Sequence, residues 1–351
     1  MTELSEGKAT LPTLMFKISI VTTVLNDRKG CADFFEQMKL QTLPPSEIVI
    51  VDGGSKDGTW EYLEEKAAQS GAIPVRVFQD VGCNVARGRD IAIQHANYDL
   101  IVSTDVGCEW HPNWIEELVS PMVKDPEVDA VMGSWEIDES TLQCWGKVEA
   151  AWLSSSKFIA TPGSHASSRS IAYTRDLWKR IGGYPRDLTL AADDMVFALL
   201  LHKVARKTAA APVPRVKWGR HTTLKSYAKE ARRNFLGAGE AGIWLKDFFL
   251  TGVRFLAEFF LLLMGMIFIL IGFELIGIAF LLVGFLLVFL RAFKLRNAIR
   301  RLVALGEKHA SIKILTFEYI TKWNGLKGYA AGYLRGFRNC QDCRERLRQW
   351  L

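Results

Sequence analysis

The stretch Glu47–Thr59, with the sequence EIVIVDGGSKDGT, decides the fold. It begins as an apolar, β-branched run, reaches Asp52 where that run ends, and continues through a glycine-rich turn into a helical pattern. A similar run, Ile18–Leu25 (ISIVTTVL), precedes it, and the helical stretch Cys31–Gln41 lies between the two. Strand, helix and strand in this order are typical of a parallel sheet covered by helices.

The same alternation continues towards the C-terminus. It predicts, in order, helix Thr59–Gln69, strand Pro74–Gln79, helix Ala86–Ala96 and the apolar strand Leu100–Ser103, which Asp105 follows closely. Parallel sheets bind their ligands at the carboxyl ends of the strands. We therefore expect an α/β fold with Asp52 and Asp105 in its ligand site.

Composition and charge narrow the class of protein. The 351 residues leave room for about two domains, and 49% hydrophobic with 23% charged residues excludes a disordered chain. The net charge of +6 conceals an asymmetry, because residues 291–351 contain 14 Lys and Arg against 4 Asp and Glu. An acidic body therefore carries a basic C-terminal segment. The six cysteines are scattered, which favours reduced thiols.

A long apolar segment follows the α/β pattern. Residues 255–273 contain one charged side chain, Glu258, and residues 275–290 contain none. One straight helix over this segment would be about 54 Å long, well beyond the ~30 Å hydrocarbon core of a membrane. A hairpin that turns at residues 272–274 fits better, although two buried or interfacial helices are the alternative. Basic residues flank both arms, so both ends are expected in the cytosol, at the cell membrane.

The C-terminal segment mixes aromatic with basic residues between Phe317 and Arg338. After an apolar hairpin, this mixture favours an amphipathic helix on anionic lipid over a nucleic-acid site. The expected organisation is a flexible leader over residues 1–15, an α/β catalytic domain over 16–245, a membrane hairpin over 250–292 and a basic surface tail over 293–351. Two short arms cannot enclose a polymer channel unless several copies form a homo-oligomer.

The turn at Val51–Thr59 has two interpretations. Its glycines would let the backbone approach a ligand, and the new helix N-terminus suits an anion. The alternative is a capped strand-to-helix turn without a ligand, with Ser55 or Asp57 as the cap. The segment carries neither a Walker lysine nor the G-x-G-x-x-G pattern, which weakens a dinucleotide interpretation.

Several blocks together resemble one known family. Lys17–Asn26 followed by Val49–Thr59 resembles the opening of a family 2 glycosyltransferase. Asn84–Asp90, Ser103–Cys108 and Ser167–Asp194 follow in the family's order. The resemblance covers about residues 17–240. It implies the GT-A nucleotide-sugar-binding fold and an inverting hexosyl transfer from a UDP- or GDP-sugar to a lipid carrier, a lipid-linked glycan or another membrane-proximal glycan, as in polysaccharide biosynthesis.

The resemblance also implies the donor site. Its expected residues at the nucleotide and donor are Thr23, Leu25, Asp52, Gly54, Arg87, Asp105 and Arg169. Asp105 would also ligate Mg²⁺ or Mn²⁺, because carboxylate oxygens suit these ions. The second aspartate of the family's motif is Gly107 here, so the cation would have a single motif carboxylate.

A base must accept the proton of the acceptor hydroxyl. By resemblance that role falls to Asp194, next to Asp193, and two adjacent carboxylates raise the pKa of one of them. Helix capping is the alternative role of this pair. His165, Trp218 and Arg220 are expected near the acceptor or the membrane.

Two other functions stay open at this point. The loss of an aspartate at Gly107 is compatible with a weakened membrane scaffold that binds nucleotide sugars without transfer. A nucleotidyltransferase is the third possibility, but it would need a glycine-rich basic loop after the first strand, where Thr22–Asp27 stands.

Overall fold

The structure is a computed structural model that describes residues 16–350, apart from Ser70, residues 154–156 and Leu190. The leader expected over residues 1–15 lies outside the described residues. The strands are β1 (Ile18–Val24), β2 (Glu47–Asp52), β3 (Val75–Gln79), β4 (Leu100–Ser103), β5 (Glu109–Trp110), β6 (Val128–Ile137), β7 (Lys157–Phe158), β8 (Ile171–Thr174) and β9 (Lys207–Trp218).

Helices connect these strands and follow them. Those of the first half are α1 (Arg28–Lys39), α2 (Thr59–Ala68), α3 (Val85–His95), α4 (Trp114–Lys124), α5 (Cys144–Trp152), α6 (Arg175–Ile181) and α7 (Asp193–Val204). Those that follow the last strand are α8 (Leu224–Ala241), α9 (Leu245–Leu270), α10 (Glu274–Lys294), α11 (Arg296–Ala304), α12 (Ala310–Asn339) and α13 (Gln341–Trp350).

The strands form one sheet in the order β3-β2-β1-β4-β8-β6-β9-β5, and β7 pairs with β6. Strands β3, β2, β1 and β4 run parallel, while β8 is antiparallel to both of its neighbours. Side chains alternate between two hydrophobic clusters, so that Val49 and Val51 face one side of the sheet and Ile48 and Ile50 face the other. Both faces are therefore covered, which confirms the predicted α/β fold.

The sheet topology places the carboxyl ends of three parallel strands at one edge of the sheet. Because β1 pairs with β2 on one side and with β4 on the other, the carboxyl ends of these three parallel strands meet at one edge. Asp52 ends β2, and Thr104 and Asp105 follow β4 directly. The order of the strands changes direction at β1, and such a switch point is where open α/β sheets bind their ligands.

Helices α9 and α10 form the predicted hairpin, with its turn at residues 271–273. Their backbones approach closely at glycines: a Cβ on Gly265 would lie 2.9 Å from the carbonyl oxygen of Gly277. Both helices are long and apolar enough to cross a membrane, and only 17% and 11% of their most apolar windows is buried. The core helices of soluble proteins are mostly buried, so these exposed apolar faces call for an apolar environment.

The C-terminal segment, predicted as a basic surface tail, is helical and packs against α8. Helix α12 packs lengthwise against α8, with Gly328, Gly332 and Gly336 at every fourth position along the contact. A Cβ on any of these three glycines would overlap a carbonyl oxygen of α8. This spacing lets two helix backbones approach closely. The segment is thus packed onto the α/β domain through much of its length.

Candidate active site

Asp52 organises the turn after β2. Its Oδ1 accepts hydrogen bonds from the backbone N–H groups of Gly54 and Ser55, each at 2.9 Å, and from the side-chain amide of Gln79 at 3.0 Å. Gly54 has a φ of +96°, a conformation that favours glycine. Asp52 is fully buried, and its second oxygen, Oδ2, has no partner among the described residues. Buried polar atoms normally have partners, so this oxygen is a candidate acceptor for a ligand.

The end of β1 forms the neighbouring wall. Thr23 is half-buried and pairs with Val51 of β2, while Leu25 is 59% exposed. The Leu25 side chain reaches to 3.6 Å from the position that a Cβ on Gly53 would take. An exposed apolar side chain beside a buried carboxylate oxygen suits a flat heterocycle with one polar edge.

Arg89 lies at the centre of the site, and the sequence analysis missed it. Its guanidinium donates to Asp105 Oδ1 and to Asp193 Oδ2, each at 2.5 Å, and it lies 5.5 Å from the ring centroid of Tyr184. The side chain is 4% exposed. The planar guanidinium therefore joins the end of β4 to the start of α7, a role that a lysine could not fill in the same way.

Arg87, which the sequence blocks indicated, contacts neither Asp105 nor Asp193 among the described residues. Its guanidinium pairs with Asp80, and its side chain is 57% exposed. A helical period distinguishes the two arginines, because residues Ala86, Arg89 and Ile93 share the buried face of α3. This helical period, which is visible in the sequence, predicts that Arg89 faces the protein interior.

Asp105 is held by two guanidinium groups. Its Oδ1 accepts from Arg89, and its Oδ2 lies 3.4 Å from Arg169 Nε. Burial alone would raise the pKa of Asp105, but the two arginines outweigh it and lower that pKa. Asp105 therefore stays ionised.

Asp193 and Asp194 begin α7 and differ in their partners. Asp193 is bound to Arg89, whereas the Asp194 carboxylate accepts no hydrogen bond within the described part of the chain. Burial, and next to it the charge of Asp193, raise the pKa of Asp194 to about 6. Ala192, directly before the pair, has a φ of +70°, which is a strained conformation for a residue with a side chain.

Arg169 links Asp105 to an aromatic wall. Its guanidinium lies 4.5 Å from the ring centroid of Trp218, whose ring is 3.9 Å from that of Trp135. Thr104 fixes the loop that carries Arg169 by donating to the Arg169 carbonyl at 2.8 Å. Trp218, which the sequence places near the acceptor or the membrane, thus contacts Arg169.

Arg220 and His165 are not brought to the carboxylates. Arg220 is bound to Glu149 and Glu230, and these partners overcome the effect of burial and raise its pKa. Its charge is compensated, so it is not free for a phosphate. His165 is exposed, and no contact within the described residues joins it to Asp105 or Asp194.

Three later or distant segments hold the loop before α7. Glu240 of α8 is fully buried and accepts from the backbone N–H of Thr189 at 2.9 Å. The backbone N–H of Cys343 donates to Asp187 Oδ2 at 3.0 Å, and Asn84 donates to the carbonyl of Arg186 at 2.8 Å. Helices α8 and α13 and the start of α3 therefore anchor this loop.

The side chains present do not form a divalent cation site on their own. Both oxygens of Asp105 contact arginines, and Gly107 offers no carboxylate. Among the described residues, no group of three or more His, Cys, Asp and Glu side chains comes together in a way that could hold a metal ion.

The comparisons with known proteins agree with this fold. Residues 19–178 match the family described as Glycosyl transferase family 2. The chain contains a family 2 glycosyltransferase domain. The match ends at Trp178 and so includes Asp52, Arg89, Asp105 and Arg169, while Asp193 and Asp194 follow it.

Relatives of the family 2 domain are distant. Glycosyltransferase AglE of Haloferax volcanii is 26% identical over 121 residues, 34% of this chain and 39% of the relative. YibD of Escherichia coli K12, described as an uncharacterized glycosyltransferase, is 24% identical over 189 residues, 53% of this chain and 54% of the relative. The chain thus matches about half or less of the length of these relatives.

A solved structure shares the fold over nearly the whole chain. The mannosyltransferase PcManGT of Pyrobaculum calidifontis, solved in complex with GDP-Man and Mn²⁺, has a TM-score of 0.52 at 17% identity. The similarity covers 92% of this chain and 87% of that one. It shows the GT-A fold followed by C-terminal helices, as the sequence predicts.

Proposed function

We propose that this protein transfers a sugar from a nucleoside-diphosphate sugar to a membrane-proximal acceptor, with inversion at the anomeric carbon. The observation that carries the proposal is the Arg89 bridge. It holds Asp105 and Asp193 in place and leaves Asp194 beside them without a hydrogen-bond partner in the described chain. A free carboxylate with a pKa near 6 is suited to accept a proton at neutral pH.

The donor nucleotide would occupy the edge formed by β1, β2 and β4. Asp52 Oδ2 is the acceptor for a donor group of the base or the ribose, with Leu25 against the ring. UDP and GDP both carry such groups, so either nucleotide fits this chemistry.

Transfer proceeds in one displacement. The acceptor hydroxyl attacks the anomeric carbon as Asp194 takes its proton, and the bond from that carbon to the diphosphate oxygen breaks. The diphosphate leaves with the bonding electron pair, and attack from the opposite face inverts the configuration. Arg169, half-buried at the site, can offset the charge that develops on the leaving group.

A divalent cation has no step in this scheme, because the described residues do not present a preformed site for Mg²⁺ or Mn²⁺. We propose that any contribution from such an ion depends on ligands from the donor diphosphate.

The acceptor is proposed to lie at a bilayer surface. The hairpin α9–α10 follows α8 directly, and α8 packs against α12, which reaches back to the catalytic loop through α13. Membrane insertion of the hairpin, with both its ends in the cytosol, would hold the site next to the headgroups. A lipid carrier or a lipid-linked glycan would then be within reach.

The direct experiment is a donor panel. The full chain in detergent is incubated with UDP- and GDP-sugars, and release of the nucleoside diphosphate is measured with and without membrane lipid extract. We expect turnover with at least one donor, and its loss in Asp194→Asn. Calorimetric binding of a nucleotide sugar without any turnover would instead support the scaffold function.

A further inference from the structure

Two adjoining cavities lie between Arg169 and the hairpin. The outer cavity, of about 960 Å³, is formed where the first turns of α9 and the last turns of α10 meet α11 and α12. The inner cavity, of about 380 Å³, is formed by α5, α8, α12 and the end of β9. Trp152 and Lys322 line both, so the two cavities share a wall.

The outer cavity combines an apolar interior with a positively charged rim. Arg254, Lys294, Arg296 and Lys322 line it together with leucine, valine and phenylalanine side chains. Neither Arg254 nor Lys294 has a carboxylate partner within the described residues, and both are exposed. An anionic group attached to an apolar chain matches this combination of charge and surface.

The carboxylates of the outer cavity do not cancel this charge. Glu258 and Glu318 are both buried and bound to Arg291, and Glu318 also pairs with Lys322 and accepts from Trp152 at 2.7 Å. Arg254, Lys294 and Arg296 therefore leave the cavity with a net positive charge. They lie at the end of the hairpin where lipid headgroups would meet it.

The inner cavity has a different chemistry. Its walls include the rings of Trp135, Trp152, Trp218 and Tyr227, and Arg169 opens it towards Asp105. Flat aromatic surfaces with a few polar groups are suited to the apolar faces of a sugar ring, and the volume is in the range of small-molecule sites.

We propose that the acceptor is a lipid-linked saccharide: its phosphate binds in the outer cavity and its sugar occupies the inner one. This rests on the proposed function and specifies its acceptor. A bare lipid phosphate held at the outer rim would be separated from Asp194 by the inner cavity, so its own oxygen could not be the nucleophile. A sugar hydroxyl reaches the base, and the lipid chain extends along the hairpin.

The test compares two acceptors on the full chain in phosphatidylcholine vesicles. One is a lipid diphosphate that carries a single hexose or N-acetylhexosamine, and the other is the same sugar as a water-soluble glycoside. The variant is Arg254→Gln/Lys294→Gln. We expect the ratio of kcat/KM for the lipid-linked over the soluble acceptor to fall at least tenfold, which corresponds to about 1.4 kcal/mol.

Arg300→Gln/Arg301→Gln is the matched control, because it removes the same charge from exposed positions of α11 that do not line the outer cavity. An equal fall in the control would show general attraction to anionic surfaces and overturn the proposal. Preference for a bare lipid phosphate would also overturn it.

Donor turnover separates this proposal from the proposed function. If the wild-type chain hydrolyses a nucleotide sugar yet does not use the lipid-linked saccharide, the acceptor proposal fails and the transferase proposal stands. If the chain neither binds nor hydrolyses any donor, both fail.

Discussion

Replacing Arg89 by lysine tests the centre of the proposed mechanism. The guanidinium donates to Asp105 and Asp193 at once, each at 2.5 Å, and its side chain is 4% exposed. Lysine keeps the charge but is a single point donor without the planar fork. In Arg89→Lys, one of the two carboxylates therefore loses its partner while it remains largely buried.

The expected size of the effect follows from that loss. An unsatisfied buried group costs about 1–3 kcal/mol, more when it is charged. A domain with roughly 5–15 kcal/mol of stability stays folded under this cost. Catalysis suffers more, because the bridge positions the start of α7, and a misplacement of about 1 Å can reduce the rate roughly 10²-fold. We expect kcat to fall by about that factor.

Arg87→Lys is the control, two positions away on the same helix. Arg87 is 57% exposed and pairs with Asp80, and such surface pairs contribute about 0–1 kcal/mol. Urea denaturation gives the free energy of unfolding of each variant, and release of the nucleoside diphosphate gives kcat. An Arg87 variant that loses more activity than the Arg89 variant would refute the assignment of the central arginine.

Three further predictions concern the base, the nucleotide and the cation. Asp194 must be ionised to accept a proton, so kcat/KM should fall about tenfold per pH unit below pH 6 and level off above it. In Asp193→Asn, the loss of a neighbouring negative charge should lower the pKa of Asp194 and move this fall in kcat/KM to lower pH. An unchanged pH profile in that variant would exclude Asp194 as the titrating group. Asp52→Asn should weaken nucleotide binding, measured by calorimetry, at least tenfold with little loss of stability. The reason is that asparagine keeps one oxygen for the turn but replaces the free acceptor by a donor. Unchanged affinity would show that the nucleotide does not bind at Asp52. Mn²⁺ titrated into the chain without nucleotide should show no micromolar site, because both oxygens of Asp105 contact arginines, and stoichiometric binding would contradict that arrangement.

Regular alternation made the α/β part of the chain predictable. The β-branched runs that end at Val24, Asp52 and Ser103 became three adjacent parallel strands, so two expected ligand carboxylates met at one edge. A short β-branched run that is bounded by turn residues is best interpreted as a buried strand. The hairpin was equally predictable, because uncharged segments of this length are rare outside membranes.

The directions of individual side chains were harder to predict than the strands and helices. The sequence blocks indicated Arg87, whereas Arg89 contacts Asp105 and Asp193, because the two arginines are separated by about 200° around the helix. The C-terminal segment was interpreted by its charge, while its packing is decided by Gly328, Gly332 and Gly336, whose four-residue spacing is visible in the sequence. The charge pattern does not show which helix α12 packs against. The close approach of the two backbones at these glycines determines that contact.

The anchoring of the loop before α7 has a consequence for the order in which the enzyme is completed. Thr189 is held by Glu240, and Asp187 by Cys343, which the ribosome adds only after both apolar helices. The sheet can assemble while the chain is still being made, but the loop before α7 gains its contact between Asp187 and Cys343 only once α13 has been synthesised. The contacts around the start of α7 are therefore completed only after α9 and α10 have been synthesised.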